Sequence, residues 1–447
     1  MKKPIFMALC GIQACGKSTY AKQYSEECNV KVFSSDEYRE KMYGSRKDQE
    51  HNDKVWAALY KDLREALENG EDCILDATNV TVKSRLKCLE AIRGVDCVKI
   101  CSIVTCDVPT ALERNKNRKE EEQVPEEAIK KYGKSFEVPM PWEGWDKIYF
   151  KGYDTDFCPK LNERCRKLAM KPQHNFSQAT PHHKYTLQGH AEHVAEQFGE
   201  GERVLRSAAL FHDISKCVDE WNWLEKPEEG VRHYYNHDRL SAMIMTENID
   251  AFDCQTWDEV FEVLFLIGFH MSARDWRDSE KAYKKWENRV GSKWMEDMMR
   301  FIRADEIGSG NGDYDYHNEL SKKIKEGYYV EHPEELVPED YVEPELEPVP
   351  EEASSEPPVE ATSAEVQENA FEESAAPQMP PIGGLGGFGA MMGMFGGLMG
   401  AMANAKPSEE EIVPNENSES DGMEEQNNTE SASEEKPEVK IEKIFEV

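Results

Sequence analysis

Apolar residues recur along this chain with two different periods, and the change of period divides it. Pro4–Cys10, Val30–Phe33, Cys73–Leu75 and Val98–Thr105 are apolar runs of strand length, separated by stretches with helical spacing. Strands alternating with helices in this way predict an α/β domain, a parallel sheet flanked by helices. Beyond about residue 155 the strand-length runs stop. Val204–Phe211, Val260–His270 (with His270 near the helix end) and Met298–Ile307 are apolar helical runs, and further helices are expected around His190 and from His237-Asp238. This pattern predicts an all-α domain. From about Glu331 the periodicity dissolves into PEELVPEDYVEPELEPVPEE and similar sequence rich in Glu, Pro and Ser. The expected parts are residues 1–155, 156–330 and 331–447, the first two of ordinary domain size.

Charge sharpens this division. Residues 331–447 hold 30 of the chain's 88 Asp+Glu but 4 of its 54 Lys+Arg, so −26 of the net −34 belongs to the tail. The first 330 residues are nearly neutral and leave a nucleic-acid substrate open. The tail buries too little apolar surface to offset the entropy of ordering it and is expected to be a disordered acidic segment. Within it, Gly383–Ala403 is uncharged, but nine of its 21 residues are Gly. That weakens both hydrophobicity and helix formation, and no Lys/Arg cluster flanks it, so no membrane span is expected. A self-association or partner-binding segment fits better, and the closing VKIEKIFEV alternates enough to add a strand to a partner protein's sheet. The opening MKKPIFMALC runs straight into a glycine motif and does not read as a signal peptide. All twelve cysteines precede Gln255 without paired metal-site spacing, which fits reduced thiols in a cytoplasmic protein.

The chemistry of the first part starts at Gly11-Ile-Gln-Ala-Cys-Gly16-Lys17-Ser18, followed by Thr19, between a strand and a helix. This is the complete phosphate-binding loop pattern in its required context. Glycines let backbone N–H groups close on phosphate oxygens at a helix N-terminus. Lys17 reaches the outer phosphates of ATP and the Ser18 hydroxyl holds Mg²⁺. Asp36 and Asp76 fall just past two predicted strand ends, the edge where open α/β sheets bind ligands. Asp36 suits a general base for an attacking hydroxyl, or a helix N-cap. Asp76 suits a magnesium-bound water, or a turn or cap. Arg114 and Arg118, four apart on a predicted helix, suit a transferring phosphate, or a solvated basic face.

P-loop, S-S-D-x-x-R, D-A-T-N and a D-V-P…N-x-x-R lid helix occur here in that order. Over about residues 1–150 the chain resembles the kinase domain of the phage polynucleotide kinase family. The resemblance implies that Asp36 is the base for a nucleic-acid 5′-hydroxyl and that Arg39 grips a neighbouring acceptor phosphate. It also implies that Lys17, Ser18 and Arg118 handle ATP. Ser34-Ser35 and the segment Lys41–Lys54 depart from that pattern and look more like other P-loop kinases.

Nine of the twelve histidines fall between His174 and His270. In order, His190, His212-Asp213, His237, His270 and Asp305 fall on or at the ends of separate predicted helices. Imidazoles and carboxylates so arranged can surround one or two divalent ions while leaving room for water and a phosphate oxygen. The series resembles the HD phosphohydrolase superfamily, and Pro181-His-His-Lys-Tyr185 with A-L-F-H-D-I-S-K looks close to the HD domain of CCA-adding enzymes. This implies one metal (Mn²⁺, Ni²⁺, Co²⁺ or Fe²⁺ suiting such ligands) on His190, His212, Asp213 and Asp305, and a second completed by His237 and His270. His182, His183, His193 and His233 are expected at the periphery, and Lys216 either on a substrate phosphate or on the surface. Trp221, Trp223, Tyr234, Tyr235, Trp276 and Trp286 could stack bases, although packing between helices accounts for most aromatics.

The expected function is bifunctional processing of nucleic-acid ends, chiefly RNA. A 5′-hydroxyl kinase would be joined to a phosphohydrolase for 2′,3′-cyclic phosphate or phosphomonoester ends, as in RNA repair. A small-molecule kinase fused to a nucleotide phosphohydrolase is the alternative. An adaptor gated by nucleotide and acting through its tail is a third.

Overall fold

The computed structural model describes residues 3–153, 156–218, 222–226, 230–310 and 314–343. Its first part contains β1 (Ile5–Cys10), α1 (Lys17–Cys28), β2 (Lys31–Ser34), α2 (Ser35–Tyr43), α3 (Asn52–Glu68), β3 (Cys73–Asp76), α4 (Val82–Ala91), β4 (Val98–Ile103), α5 (Val108–Lys116), α6 (Glu126–Lys134) and β5 (Lys147–Phe150). The strands form one parallel sheet in the order β2-β3-β1-β4-β5. Strand β1 lies at its centre and is buried along its whole length, which is why it reads as an unbroken apolar run rather than an alternation. β4 stops at Ile103, two residues short of the expected Thr105. Its partner β1 pairs Cys10 with Ile103 and then turns away at Gly11. β3 runs one residue further than expected, pairing Asp76 with Ser34.

One interior ion pair ties this domain together. The Arg85 guanidinium meets Glu143 through two contacts of 2.7 Å, and both side chains are wholly buried. Glu143 also accepts from the Trp145 indole at 3.1 Å and the Met140 N–H at 3.0 Å. The burial cost of both charges is thus met by several hydrogen bonds.

The second part contains α7 (Glu163–Met170), α8 (Leu187–Glu196), α9 (Arg203–Phe211), α10 (Ser215–Val218), the hairpin β6 (Trp223–Lys226) and β7 (Val231–Tyr234), then α11 (His237–Met245), α12 (Trp257–Arg277), α13 (Glu280–Val290), α14 (Ser292–Gly308), α15 (Tyr314–Lys325) and α16 (Tyr328–Glu331). The region is therefore helical with one antiparallel hairpin, not wholly α. Helix α12 is its axis and packs on α9, α11, α13 and α14. It runs 21 residues, so His270 lies inside it rather than near its end. Trp276 and Trp286 stack at 4.3 Å within a cluster containing Phe265 and Phe269, which assigns them to packing. Tyr234 donates its hydroxyl to the Gln178 carbonyl, Tyr235 is exposed, and Trp221 lies outside the described residues.

The two parts are packed together. Phe150 stacks on Trp257 at 5.5 Å, the Tyr153 hydroxyl reaches Asp250 at 3.0 Å, and Arg239 on α11 pairs with Glu137 at 2.9 Å. Residues 331–343, expected to begin the disordered tail, lie on the helical region instead. There Asp340 accepts hydrogen bonds from the N–H and hydroxyl of Thr186 at 2.6 and 2.5 Å. Residues 344–447, including 383–403 and 439–447, lie outside the described residues. No helix among the described residues is long and apolar enough to cross a membrane. All twelve cysteines are free thiols.

Candidate functional site

The loop after β1 is shaped for an anion. Gly11 approaches the Val104 carbonyl so closely that a Cβ would lie 1.9 Å from its oxygen. Ala14 and Gly16 take φ of 60° and 102°, turning successive N–H groups inward as a nest. Ala14 is a strained choice there. Lys17 opens α1, with its buried ammonium donating to the Ile12 carbonyl at 2.6 Å, while Ser18 and Thr19 stay exposed at the helix N-terminus. Arg114 reaches the Cys15 carbonyl at 3.4 Å.

Both candidate carboxylates stand at this edge of the sheet. Neither serves as a cap: Ser34 caps α2, with Asp36 in the first turn, and Asp76 ends β3 beside the loop. Burial pushes the Asp76 carboxyl above its ordinary pKa, opposed by the Ser18 hydroxyl and the Lys17 ammonium. Asp36 is held by Arg39 at 2.7 Å, and Arg39 is fixed in turn by Asn52 at 2.9 Å. Arg39 is itself buried, so its guanidinium orients Asp36, a role absent from the sequence reading. Arg118 falls just beyond α5, which ends at Lys116, so it does not share a helical face with Arg114. Asn115, in the last turn of α5, pairs with the backbone of Val124 at 2.8 and 3.1 Å. Arg118 still acts on the Asp76 charge.

In the helical region all six predicted residues converge. His190 (α8), His212 and Asp213 (after α9), His237 (α11), His270 (α12) and Asp305 (α14) are buried. Asp213 stands between two histidine pairs. Its Oδ2 lies 3.6 and 3.4 Å from Nε2 of His190 and His212, and its Oδ1 lies 3.1 and 3.9 Å from Nε2 of His237 and His270. Asp305 Oδ1 completes the first group, 3.1 and 3.5 Å from His190 and His212. Within the pairs, Nε2 atoms are 3.1 Å apart (His190, His212) and 3.2 Å apart (His237, His270).

The tautomers give these distances meaning. Nδ1 of His212, His237 and His270 faces the carbonyl of Ala209, Tyr234 and Ile267 at 2.8, 2.9 and 2.8 Å. A carbonyl only accepts, so each Nδ1 carries a proton and each ring turns its Nε2 inward, where that nitrogen offers a lone pair whenever it is unprotonated. Two lone pairs 3.2 Å apart repel unless a proton or a cation lies between them. Ligands about 2.1 Å from one ion stand about 3.0–3.4 Å apart in octahedral or tetrahedral arrangement, matching the spacing here. His190, His212 and Asp305 could hold one ion and Asp213, His237 and His270 a second. Burial, with His212 and His237 nearby, holds His270 well below its usual pKa. Burial opposes ionisation of Asp213, but Lys216, His212 and His237 outweigh it and keep its carboxyl well below the usual range.

Three neighbours surround the six: Lys216, expected on a substrate phosphate or on the surface, His183, expected at the periphery, and Arg274, which was not anticipated. Lys216 is buried, its ammonium 2.6 Å from Asp213 and 2.8 Å from Gln178. His183 lies against His190 with ring centroids 4.4 Å apart. Arg274 reaches Asp305 at 2.8 Å. Arg274 follows His270 by four residues, one helical turn, and that spacing was the available signal. His237 lines a cavity of about 850 Å³.

Comparison with known proteins bears on the first part. Residues 6–139 match the family model described as an AAA domain. No curated protein matches. Among solved structures, the chain is similar to a putative kinase from Chloroflexus aurantiacus (16% identity, 33% of this chain and 85% of that one, TM-score 0.29). It is also similar to Kti12 of Chaetomium thermophilum in complex with ADP-AlF3 (20%, 33% and 91%, TM-score 0.27), and to a chain of the Pnkp1/Rnl/Hen1 RNA repair complex (19%, 36% and 56%, TM-score 0.27). With its sheet order and phosphate loop, the first part of this chain is a parallel-sheet α/β P-loop kinase-like domain, the fold of ATP–Mg²⁺ chemistry.

Proposed function

We propose that the protein processes nucleic-acid ends with two activities. One is ATP-dependent phosphorylation of a 5′-hydroxyl, and the other is metal-dependent hydrolysis of a 2′,3′-cyclic phosphate or terminal phosphomonoester, with RNA as the substrate. The observation that carries the two-activity reading is Asp213, a single carboxylate set between two histidine pairs whose Nε2 atoms face each other.

In the kinase part, Asp36 accepts the proton of the attacking hydroxyl, and Arg39 keeps its carboxylate aimed at the crevice. Lys17 and Arg118 offset charge on the transferring phosphoryl group, and Ser18 with Asp76 marks the place of Mg²⁺. The helical part is read as an HD-type phosphohydrolase. His190, His212, Asp213 and Asp305 would hold one divalent transition ion, and His237 and His270 with Asp213 would hold a second; Mn²⁺, Ni²⁺, Co²⁺ and Fe²⁺ suit such ligands. A metal bound there supplies an activated water and a Lewis acid for phosphate oxygen. Lys216 keeps Asp213 ionised; burial opposes ionisation of Asp305, but hydrogen bonds from His190 and His212, with Arg274 adding to them, outweigh it; and the Nδ1–carbonyl bonds fix the orientations of His212, His237 and His270. At the two ends of a broken strand, the kinase leaves a 5′-phosphate, while one hydrolysis opens a cyclic phosphate to a monoester and a second releases a 3′-phosphate as inorganic phosphate, leaving a 3′-hydroxyl.

The test offers purified protein γ-labelled ATP with 5′-hydroxyl RNA, 5′-hydroxyl DNA and free nucleosides, and Mn²⁺-loaded protein RNA with a 2′,3′-cyclic phosphate. Transfer to RNA ends and opening or removal of the terminal phosphate are expected. Activity confined to nucleosides and free nucleotides would replace this reading with a metabolite kinase fused to a nucleotide hydrolase.

A further inference from the structure

Two cavities beside the candidate sites share walls. The 850 Å³ cavity at His237 and a second of about 500 Å³ are both lined by Thr81, Lys131 and Ser135. The second follows the loop after β3 at Thr78 and Asn79 and reaches Asp53 at the start of α3. Asp53 adjoins Asn52, which fixes Arg39 and through it Asp36. The combined groove therefore runs from Thr78, two residues past Asp76 at the end of β3, to His237 of the histidine cluster.

Its walls differ in charge from the rest of this acidic chain. Lys83 and Lys87 on α4 and Lys130, Lys131 and Lys134 on α6 line it, with Arg239 opposite. Asp53, Glu127, Asp238 and Asp275 are the acidic residues of the lining; Lys130 pairs with Glu127, and Asp238 is buried. At the kinase end Trp56 and Tyr60 stand with ring centroids 5.1 Å apart. The groove is also rigid. Helix α6 meets α11 at Gly133, where a Cβ would lie 2.6 Å from Val108 and 3.5 Å from Leu240. Glu137 joins the Val82 N–H at 2.8 Å to Arg239 at 2.9 Å. The spacing of the two sites is set by packing.

We infer that this groove binds a single-stranded polynucleotide, its phosphodiesters on the lysines of α4 and α6 and a base against Trp56 and Tyr60. Repeated cations along a channel with an aromatic platform match a repeated anion carrying stackable rings, whereas a mononucleotide needs one such contact. The inference rests on the function proposed above and adds the path the substrate takes between the sites.

The test measures binding of a labelled 5′-hydroxyl single-stranded RNA to the full chain by fluorescence anisotropy over a range of salt. Each phosphate contact in a single strand contributes about 0.7 to the slope of log affinity against log salt. The Lys130→Ala/Lys131→Ala/Lys134→Ala variant should lose about 2 from that slope and roughly tenfold or more in affinity at moderate salt. Lys131→Gln alone should lose about 0.7. The melting temperature, ATP binding and phosphorylation of a nucleoside 3′-monophosphate should stay as in the wild type. Unchanged RNA affinity and slope in the triple variant, or an equal loss on the mononucleotide, overturns the groove. A wild type that binds RNA through these lysines but transfers no phosphoryl group sinks the catalytic proposal and leaves the groove standing. RNA-end turnover that is indifferent to the triple substitution does the reverse.

Discussion

Replacing Asp213 with asparagine keeps the side-chain shape and removes its charge, so it isolates what the shared carboxylate does. In the metal-free protein the first effect is on stability. Lys216 loses a buried partner at 2.6 Å but keeps Gln178 at 2.8 Å. Breaking a buried pair from one side costs about 3–5 kcal/mol, and the remaining amide places this case near 3 kcal/mol. At roughly 2–4 °C per kcal/mol for a region of this size, the helical part should melt about 6–12 °C lower. The second effect is on metal. A ligand a thousandfold above its dissociation constant adds about 4 kcal/mol to the native state, so Mn²⁺ should raise the wild-type melting temperature by about 10 °C. Asp213→Asn should lose most of that rise because both ion positions share the missing charge. Differential scanning calorimetry with and without Mn²⁺, alongside elemental analysis, measures both effects, and ATP-dependent phosphoryl transfer should persist below the lowered transition. If Asp213→Asn bound two equivalents of Mn²⁺ with the wild-type shift, the role assigned to the bridging carboxylate would be wrong.

Four further outcomes are expected. Asp36→Asn should lower phosphoryl transfer about 10²–10⁴-fold with ATP affinity nearly unchanged by isothermal titration, whereas Lys17→Ala should weaken both; near-normal turnover in Asp36→Asn would remove it as the base. Arg85→Met should destabilise the first domain by about 3–5 kcal/mol in urea unfolding, and Arg85→Met/Glu143→Leu should recover much of that; a double variant no better than the single would contradict the pair's assignment. Burial pushes the Glu262 carboxyl up to about 7, against the pull of Lys293. Because its folded pKa is raised, its contribution is complete below the unfolded value near 4.5 and is lost as pH rises through 7. Glu262→Gln should therefore gain melting temperature relative to wild type between pH 5 and pH 8, and a constant difference would count against it. Removing residues 344–447 should leave both activities and the melting temperature unchanged, since Asp340, the last contact described above, is retained.

Local features of the site were legible in the sequence and remote ones were not. The phosphate loop is a contiguous pattern, and Asp36 and Asp76 could be placed because strand ends define a sheet edge. The strained turn at Ala14 was not visible, since no residue preference selects alanine for φ of 60°. Arg118 was placed on a helix that stops at Lys116, where Asn115 ties the last turn to Val124, a contact that helical spacing does not encode. The order of histidines and aspartates gave the whole cluster, but not that one aspartate divides it, because that depends on how α8, α9, α11, α12 and α14 converge. Lys216 read equally well as a surface residue until Asp213 and Gln178 closed around it. The shared groove was beyond reach of the sequence, since nothing local to Lys130–Lys134 announces that α6 lies against α11.

The clamp of Asp340 on Thr186 carries a consequence for biosynthesis. Thr186 caps α8 through the Gly189 N–H at 3.1 Å, and α8 carries His190. The residue that fixes this cap is made 154 positions later. At about 5–20 residues per second, the ribosome takes roughly ten to thirty seconds to cover that interval. The α/β domain, complete by Phe150, has that time to fold while the helix bearing the first histidine still lacks its clamp. A stalled or truncated chain ending before Asp340 would release a formed phosphate loop beside an unfinished histidine cluster.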